Sequence, residues 1–239
     1  MAIAGLYKIF DHWHATGTVW LYSDPHFGDK DLAAAQPDRP SDDAQIKLIN
    51  SKVGRKDTLI ILGDVNNIEC VRKLRGYKVL IMGNHDSGRT NYERHRESVI
   101  MSVKEFSKEE AMEEMKRRYP GYQIAFKGMG VLGWIFYIDN HLFDEVYEGP
   151  LMIGEKLILS HEPVDIPWAY NIHGHIHDTR HKNDKQHFNV CAEAINFTPI
   201  NFNQWMKAGH LSRIETIHRT TIDKATIKAK KRGGKKING

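Results

Sequence analysis

An α/β fold is the class this sequence predicts, and three observations predict it. Apolar, β-rich runs at Thr18–Ser23 (TVWLYS), Thr58–Leu62 (TLIIL) and Tyr77–Met82 (YKVLIM) alternate with stretches of helical spacing at Ser41–Val53 and Ile68–Leu74. Each run stops at a short polar cluster, and in open α/β sheets ligands gather beyond the carboxyl ends of the strands. The chain has 239 residues with a normal globular mixture of apolar and charged side chains, enough for one domain with embellishments and a core that needs no staple.

The elements follow in order. TVWLYS leads into Asp24-Pro25-His26. Ser41 can cap a helix whose apolar positions are Ala44, Ile46, Leu48 and Ile49. The continuous run TLIIL suits a strand covered on both faces and ends at Gly63-Asp64. Ile68–Leu74 reads as a short helix, and YKVLIM ends at Gly83-Asn84-His85-Asp86. Val103–Tyr119 is charged and helical, with Phe106, Ala111, Met112 and Met115 as its apolar face; Gly-rich turns and an apolar run, Val131–Ile138, follow. Leu151–Ser160 has the form of a hairpin turning at Gly154-Glu155 and ending at His161. Asn171–His177 carries Gly174-His175-Ile176-His177, His187–Val190 reads as a last strand, and Gln204–Ala208 as a helix.

Composition narrows the setting. Two cysteines, Cys70 and Cys191, make neither a disulfide framework nor a zinc site, and a reducing compartment is expected. No run has the apolar length of a membrane span, and Met1–His14 lacks the apolar core of a signal peptide, so a cytoplasmic protein without membrane contact is expected. The net charge of +4 is unevenly spread: Arg219–Gly239 holds eight Lys/Arg and one Asp, so the body is slightly acidic. Residues 219–239 are expected to form a basic, disordered tail, with nucleic acid as a partner it could touch.

The polar clusters are individually weak signals. Their order and shared position after strands make the set informative. Aspartate oxygens bridge paired ions well, and imidazoles suit Mn, Fe, Zn or Ni. In an extended segment the i and i+2 side chains of His175 and His177 would share a face.

The set D-x-H, G-D, G-N-H-D, H and G-H-x-H, spanning Val19 to His177, resembles the calcineurin-like metallophosphoesterase superfamily. The resemblance implies a four-layer α/β/β/α sandwich with mixed sheets and two divalent ions, Mn foremost with Fe, Zn or Ni possible. Asp24, His26 and His177 would hold the first ion, Asn84, His161 and His175 the second, and Asp64 would bridge them. His85 would be the catalytic histidine, with Asp86 orienting its ring. The implied reaction is phosphoester hydrolysis by in-line attack of a hydroxide held between the ions. Protein serine/threonine phosphatases of the superfamily carry Asp-Arg-Gly after the aspartate and GNHE. Here Val65-Asn66-Asn67 follows and the motif is GNHD, which resembles instead the small bacterial and phage phosphoesterases. The segments Phe143–Pro163 and Asn189–Ile200 resemble that group too. A nucleotide or nucleic-acid phosphodiester is therefore the expected substrate, with a phosphomonoester, or nucleic-acid processing assisted by the tail, as alternatives. Asn67, Trp168 and Tyr170 are candidate substrate contacts.

About fifty residues separate the GNHD cluster from Phe143, more than in compact members of that group. A single domain, 1–218, with a helical insertion at 99–140 is expected. That insertion is expected to leave from the rim of the site and is either a cap over it, or a surface elaboration or dimer contact.

Overall fold

The computed structural model describes residues 3, 5–177, 184–215 and 221–228. Among these residues, strands and helices alternate in an α/β arrangement built on three sheets. The first sheet has the order β12-β1-β2-β3-β7. In it β1 (Val19–Tyr22), β2 (Thr58–Ile61), β3 (Tyr77–Ile81) and β7 (Glu145–Tyr147) run parallel, and β12 (Ile200–Asn201) closes one edge antiparallel. The second sheet contains β8 (Leu151–Gly154), β9 (Leu157–Leu159), β10 (Tyr170–His173) and β11 (His187–Asn189) in the order β11-β10-β9-β8. The third is antiparallel, β4 (Arg96–Ser102), β6 (Gly133–Asp139) and β5 (Gln123–Met129), with β6 central.

Alternation along the strands divides the core. Val19, Leu21, Ile60, Leu62, Val79 and Ile81 meet Ile153, Leu157, Leu159 and Ile172 between the first two sheets. The intervening residues Leu59, Ile61 and Leu80 pack on the other face against Ile46 and Ile49 of α2 (Asp42–Lys52) and Val71 of α3 (Ile68–Arg72). Burial on both faces is why TLII reads as an unbroken apolar run. Two of the helix starts are locally encoded: Ser41 accepts from the Ala44 N–H at 3.4 Å, and Asn67 from Glu69 at 3.0 Å. A short helix, α1 (Lys30–Ala35), precedes α2, and α5 (Phe202–Lys207) brings Phe202 and Trp205 into the inter-sheet core. Asn171, on the outer face of β10, meets the loop at Val164 and the Ser160 hydroxyl rather than a helix. The hairpin turns at Glu155-Lys156, one residue later than expected, because Gly154 pairs with Leu157.

The insertion differs from expectation in kind. Its single α-helix, α4 (Lys108–Arg118), opens with a capping box between Ser107 and Glu110 and lies on the three-stranded sheet around Met101, Ala111, Met115, Phe136 and Ile138. It is thus a sheet with one helix rather than a helical unit. Its placement also differs. Asp144 pairs with Lys78 at the amino end of β3, and Arg94 and Phe143 meet at that level. Arg72, at the carboxyl end of α3, reaches the carbonyls of Gly121 and Asn140. The insertion therefore roots at the end of the sheet opposite Gly83–Asp86, not at the rim of the expected site.

In the basic tail, residues 221–228 form an exposed helical turn pair where disorder was expected. The remainder of the tail, with its Lys/Arg run after Lys228, lies outside the described residues. Among the described residues no helix is long and apolar enough to cross a membrane.

Candidate metal centre

Loops leaving the carboxyl ends of parallel strands in both inner sheets carry all seven expected ligands. Asp24 and His26 follow β1, Asp64 follows β2, Asn84 follows β3, His161 follows β9, and His175 and His177 follow β10. Topology brings together groups separated by up to about 150 positions. The Asp24 carboxylate accepts the His175 backbone N–H at 2.9 Å and has its other oxygen 3.6 Å from His177 Nε2. Asp64 Oδ2 lies 3.5 Å from His26 Nε2 and 3.3 Å from His161 Nε2. His161 Nε2 is 2.8 Å from Asn84 Oδ1 and 3.1 Å from His175 Nδ1.

Among the described residues, three groups of donor atoms are close enough to hold an ion: Asp24, His26 and His177; Asp64, His161 and His175; and His177, Cys191 and Glu193. The donors of the first group also have unmet bonding capacity. Asp24 Oδ1 and both ring nitrogens of His26 are buried with no hydrogen-bond partner. Buried polar atoms are almost always satisfied, so a cluster of orphans at the meeting point of imidazoles and carboxylates fits a cation.

The backbone around these donors is unusual. Asp24, His26, Asp64, Asn66 and His175 all have φ between 42 and 66°, a left-handed region that costs a side-chain-bearing residue of order 1 kcal/mol or more. The close approach has a second requirement: a Cβ on Gly174 would sit 1.9 Å from Ser23 Oγ and 2.3 Å from Asp24 Oδ2. The pairing of His175 with His177 is also not that of an extended strand. β10 ends at His173, His175 turns left-handed, and the two imidazoles diverge to different donor groups.

Electrostatics sharpen the picture. Burial opposes protonation of His161, yet the carboxylates of Asp64 and Asp24 outweigh it and push the imidazole up to about 9. Burial instead wins at His26, which is lowered despite Asp64 and Asp24. Burial would raise Asp64, but His161 and the His85 N–H hold it below the usual carboxylate range.

Three expected roles change. Asp86 does not orient His85: its oxygens accept the N–H groups of Gly83 and Asp64, each at 2.9 Å, and of Val65 at 3.0 Å. It ties the loops after β2 and β3 together. Asn67 is occupied as the cap of α3. Tyr170 points into the inter-sheet core, against Trp205 and toward the Asp184 and His187 carbonyls. Trp168 is exposed. His85 is exposed, with its ring centroid 5.4 Å from that of His26.

Arg39 and Glu193 were not anticipated. Glu193 Oε2 lies 3.1 Å from His177 Nδ1, leaving Nε2 to face Asp24. Glu193 also pairs with Arg39, whose other nitrogen donates to the Asp24 and Pro25 carbonyls at 2.9 and 2.8 Å. Burial opposes ionisation of Glu193, but His177 and Arg39 hold it down at about 2; the same contact raises His177. A carboxylate on the far ring nitrogen is the usual way a ligating imidazole is oriented. Glu193 lies within the Asn189–Ile200 segment, so a signal existed; Arg39 sits in an unremarkable loop and gave none.

No family model matches the chain, and no curated protein matches it. Among solved structures it is similar to the crystal structure of a protein of unknown function from Aquifex aeolicus. The two share 20% identity and a TM-score of 0.50, over 80% of this chain and 98% of that one. At that identity the likeness concerns the fold alone, and it agrees with the α/β class.

Proposed function

We propose that this protein is a phosphoester hydrolase using two divalent metal ions, with a phosphodiester as substrate. The observation that carries the proposal is the Asp64 carboxylate, one oxygen of which faces His26 on one side and His161 on the other. Asp24, His26 and His177 would hold one ion, Asn84, His161 and His175 the other, with Asp64 shared. The four-layer sandwich of the superfamily belongs to the same proposal; the two stacked inner sheets with α2 and α3 on one face are in keeping with it. Bound divalent ions would supply Lewis acidity and a nucleophile at neutral pH, and a histidine-rich set favours Mn, Fe, Zn or Ni over Mg.

The protein's own groups do the rest. Asp86 clamps the loops that present Asp64 and Asn84, so the donors keep their spacing before any ion arrives. Glu193 keeps His177 turned toward Asp24. His85, exposed at the surface beside His26, would give a proton to the departing oxygen. A groove of about 250 Å³ adjoins Asn84 and His161 and is flanked by Glu148 and Glu162. Two carboxylates there disfavour a dianionic monoester and favour a diester with its single charge.

The test is restoration of activity to chelator-treated protein. Mn²⁺ is expected to restore hydrolysis of bis-(p-nitrophenyl) phosphate well above that of p-nitrophenyl phosphate. Absence of metal uptake would sink the whole proposal, and a faster monoester reaction would transfer it to the phosphomonoesterase alternative.

A further inference from the structure

The end of the sheet opposite the metal centre carries a cleft of about 540 Å³ where the insertion meets the body. Its walls include Arg55, Arg72, Lys73, Arg75, Lys78 and Arg94, together with His141, and no carboxylate residue is among them. These groups come from separate segments: the turn before β2, the α3–β3 connection, β3 itself, and both roots of the insertion. The cleft exists because the insertion docks there.

Several of the cations are already balanced from outside the walls. Arg94 pairs with Asp139 and Asp144, Arg72 with Glu69, and Lys73 with Asp43. The others are not. Among the described residues the Arg55 guanidinium has no hydrogen-bond or ion-pair partner, and Arg75 has only the Asn50 carbonyl at 3.3 Å. The Lys78 ammonium is 1% exposed and donates to the carbonyls of Val71 and His141, not to an acid. Burial pushes Lys78 down to about 8, and the guanidinium of Arg94 adds to the effect. His141 is lowered too, by burial first and then, against Asp139, by Arg94 and Lys78. Positive charge thus exceeds the negative charge that meets it.

We propose that this cleft binds a small ligand carrying linked phosphates, at a site separate from the metal centre. The volume is that of a small-molecule site. Planar guanidinium forks match phosphate oxygens two at a time, and two exposed guanidiniums without an acid, Arg55 and Arg75, call for a ligand with more than one charge. No Phe, Tyr or Trp lines the cleft and cations dominate its walls, so recognition centres on the phosphates rather than on a base. Such a ligand would touch the body through Arg55 and Arg75, beside the insertion's root.

The experiment uses inorganic triphosphate with the full chain, stripped of metal and dialysed free of chelator, so that metal-held phosphate contributes nothing. Calorimetry is expected to give saturable binding that weakens about tenfold or more in the Arg55→Ala/Arg75→Ala variant. Reversal of both charges to Glu should abolish it. Both positions are exposed, and unchanged circular dichroism and melting temperature would establish folding. A nucleoside triphosphate binding more tightly than triphosphate identifies a nucleotide as the source; equal or weaker binding identifies the inorganic chain. Absence of saturation at millimolar triphosphate, or equal affinity in the charge-reversed variant, overturns the proposal. So does binding of a single-stranded oligonucleotide or a polyglutamate peptide in preference to triphosphate.

Discussion

Replacing Glu193 with Gln tests how far the centre depends on a residue that is not itself expected to be a ligand. The carboxylate lies 3.1 Å from His177 Nδ1, and the amide can keep that contact only without its charge. Loss of such a partner typically costs about 10–100-fold in metal affinity, or roughly 1.4–2.8 kcal/mol. Glu193→Ala should do more. The Arg39 side chain is 4% exposed, and an uncompensated buried charge costs about 3–5 kcal/mol. The expected result is a selective weakening of the ion at Asp24, His26 and His177, read by competition with a metal chelator. Folding stability, read by urea denaturation, should fall in both variants, since each removes the charge that meets Arg39, and furthest in the Ala variant, which also loses the hydrogen bonds. Restoring Asp at 193 should recover little, because the shorter arm cannot span the distance. Unchanged metal affinity in both variants, after correction for the folded fraction, would refute the idea that Glu193 positions His177. Equal loss of both ions would point instead to general loosening of the fold.

His85→Ala is expected to keep both ions but lose about 10²–10⁴-fold in turnover; a wild-type rate would remove His85 from the chemistry. Asp86→Ala strands three backbone N–H groups at about 1–3 kcal/mol each if they remain dry, so a clear drop in melting temperature with loss of metal is expected. An unchanged melting temperature with only a shifted pH–rate profile would restore a catalytic role to it. Glu97 and Ile138 are paired across β4 and β6, so a short turn can replace the residues between them. That deletion should leave the relative rates on small and large diesters unchanged, and an altered ratio would reinstate a cap. In the metal-free protein, protonated His161 contributes stability fully below about pH 6.5, its unfolded value. That contribution is lost as pH rises through about 9, and His177 adds in the same direction. The melting temperature of metal-free protein should therefore decline over that range, and a level or rising curve would contradict the assignment.

The strands that build the site were legible because their surroundings are uniform. TLII and YKVLI are covered on both faces, and their apolar runs say so. The candidate donor positions were legible because they sit where those runs stop. Other parts were hidden for physical reasons. β7 and β12 are three and two residues long, too short to show a period. β4, RESVIMS, is mostly exposed and carries no clean alternation. The docking of the insertion rests on Arg72, Arg94 and Asp144, single polar contacts across long sequence separations. Asp86 was assigned to its neighbour His85 because adjacency in sequence suggested it, whereas its bonding partners lie mostly in the preceding loop, 21 and 22 residues away.

The left-handed conformations at Asp24, His26, Asp64 and His175 have a consequence for how this protein can change. Glycine would relax each of them, but glycine brings no donor, so the positions where the backbone most favours replacement are those where replacement removes a candidate metal donor. The surrounding sheets hold these donors together, and the proposed cations would meet them already gathered. Uptake of metal should then be fast and leave the circular dichroism spectrum unaltered, in contrast to small domains that fold only around their ion.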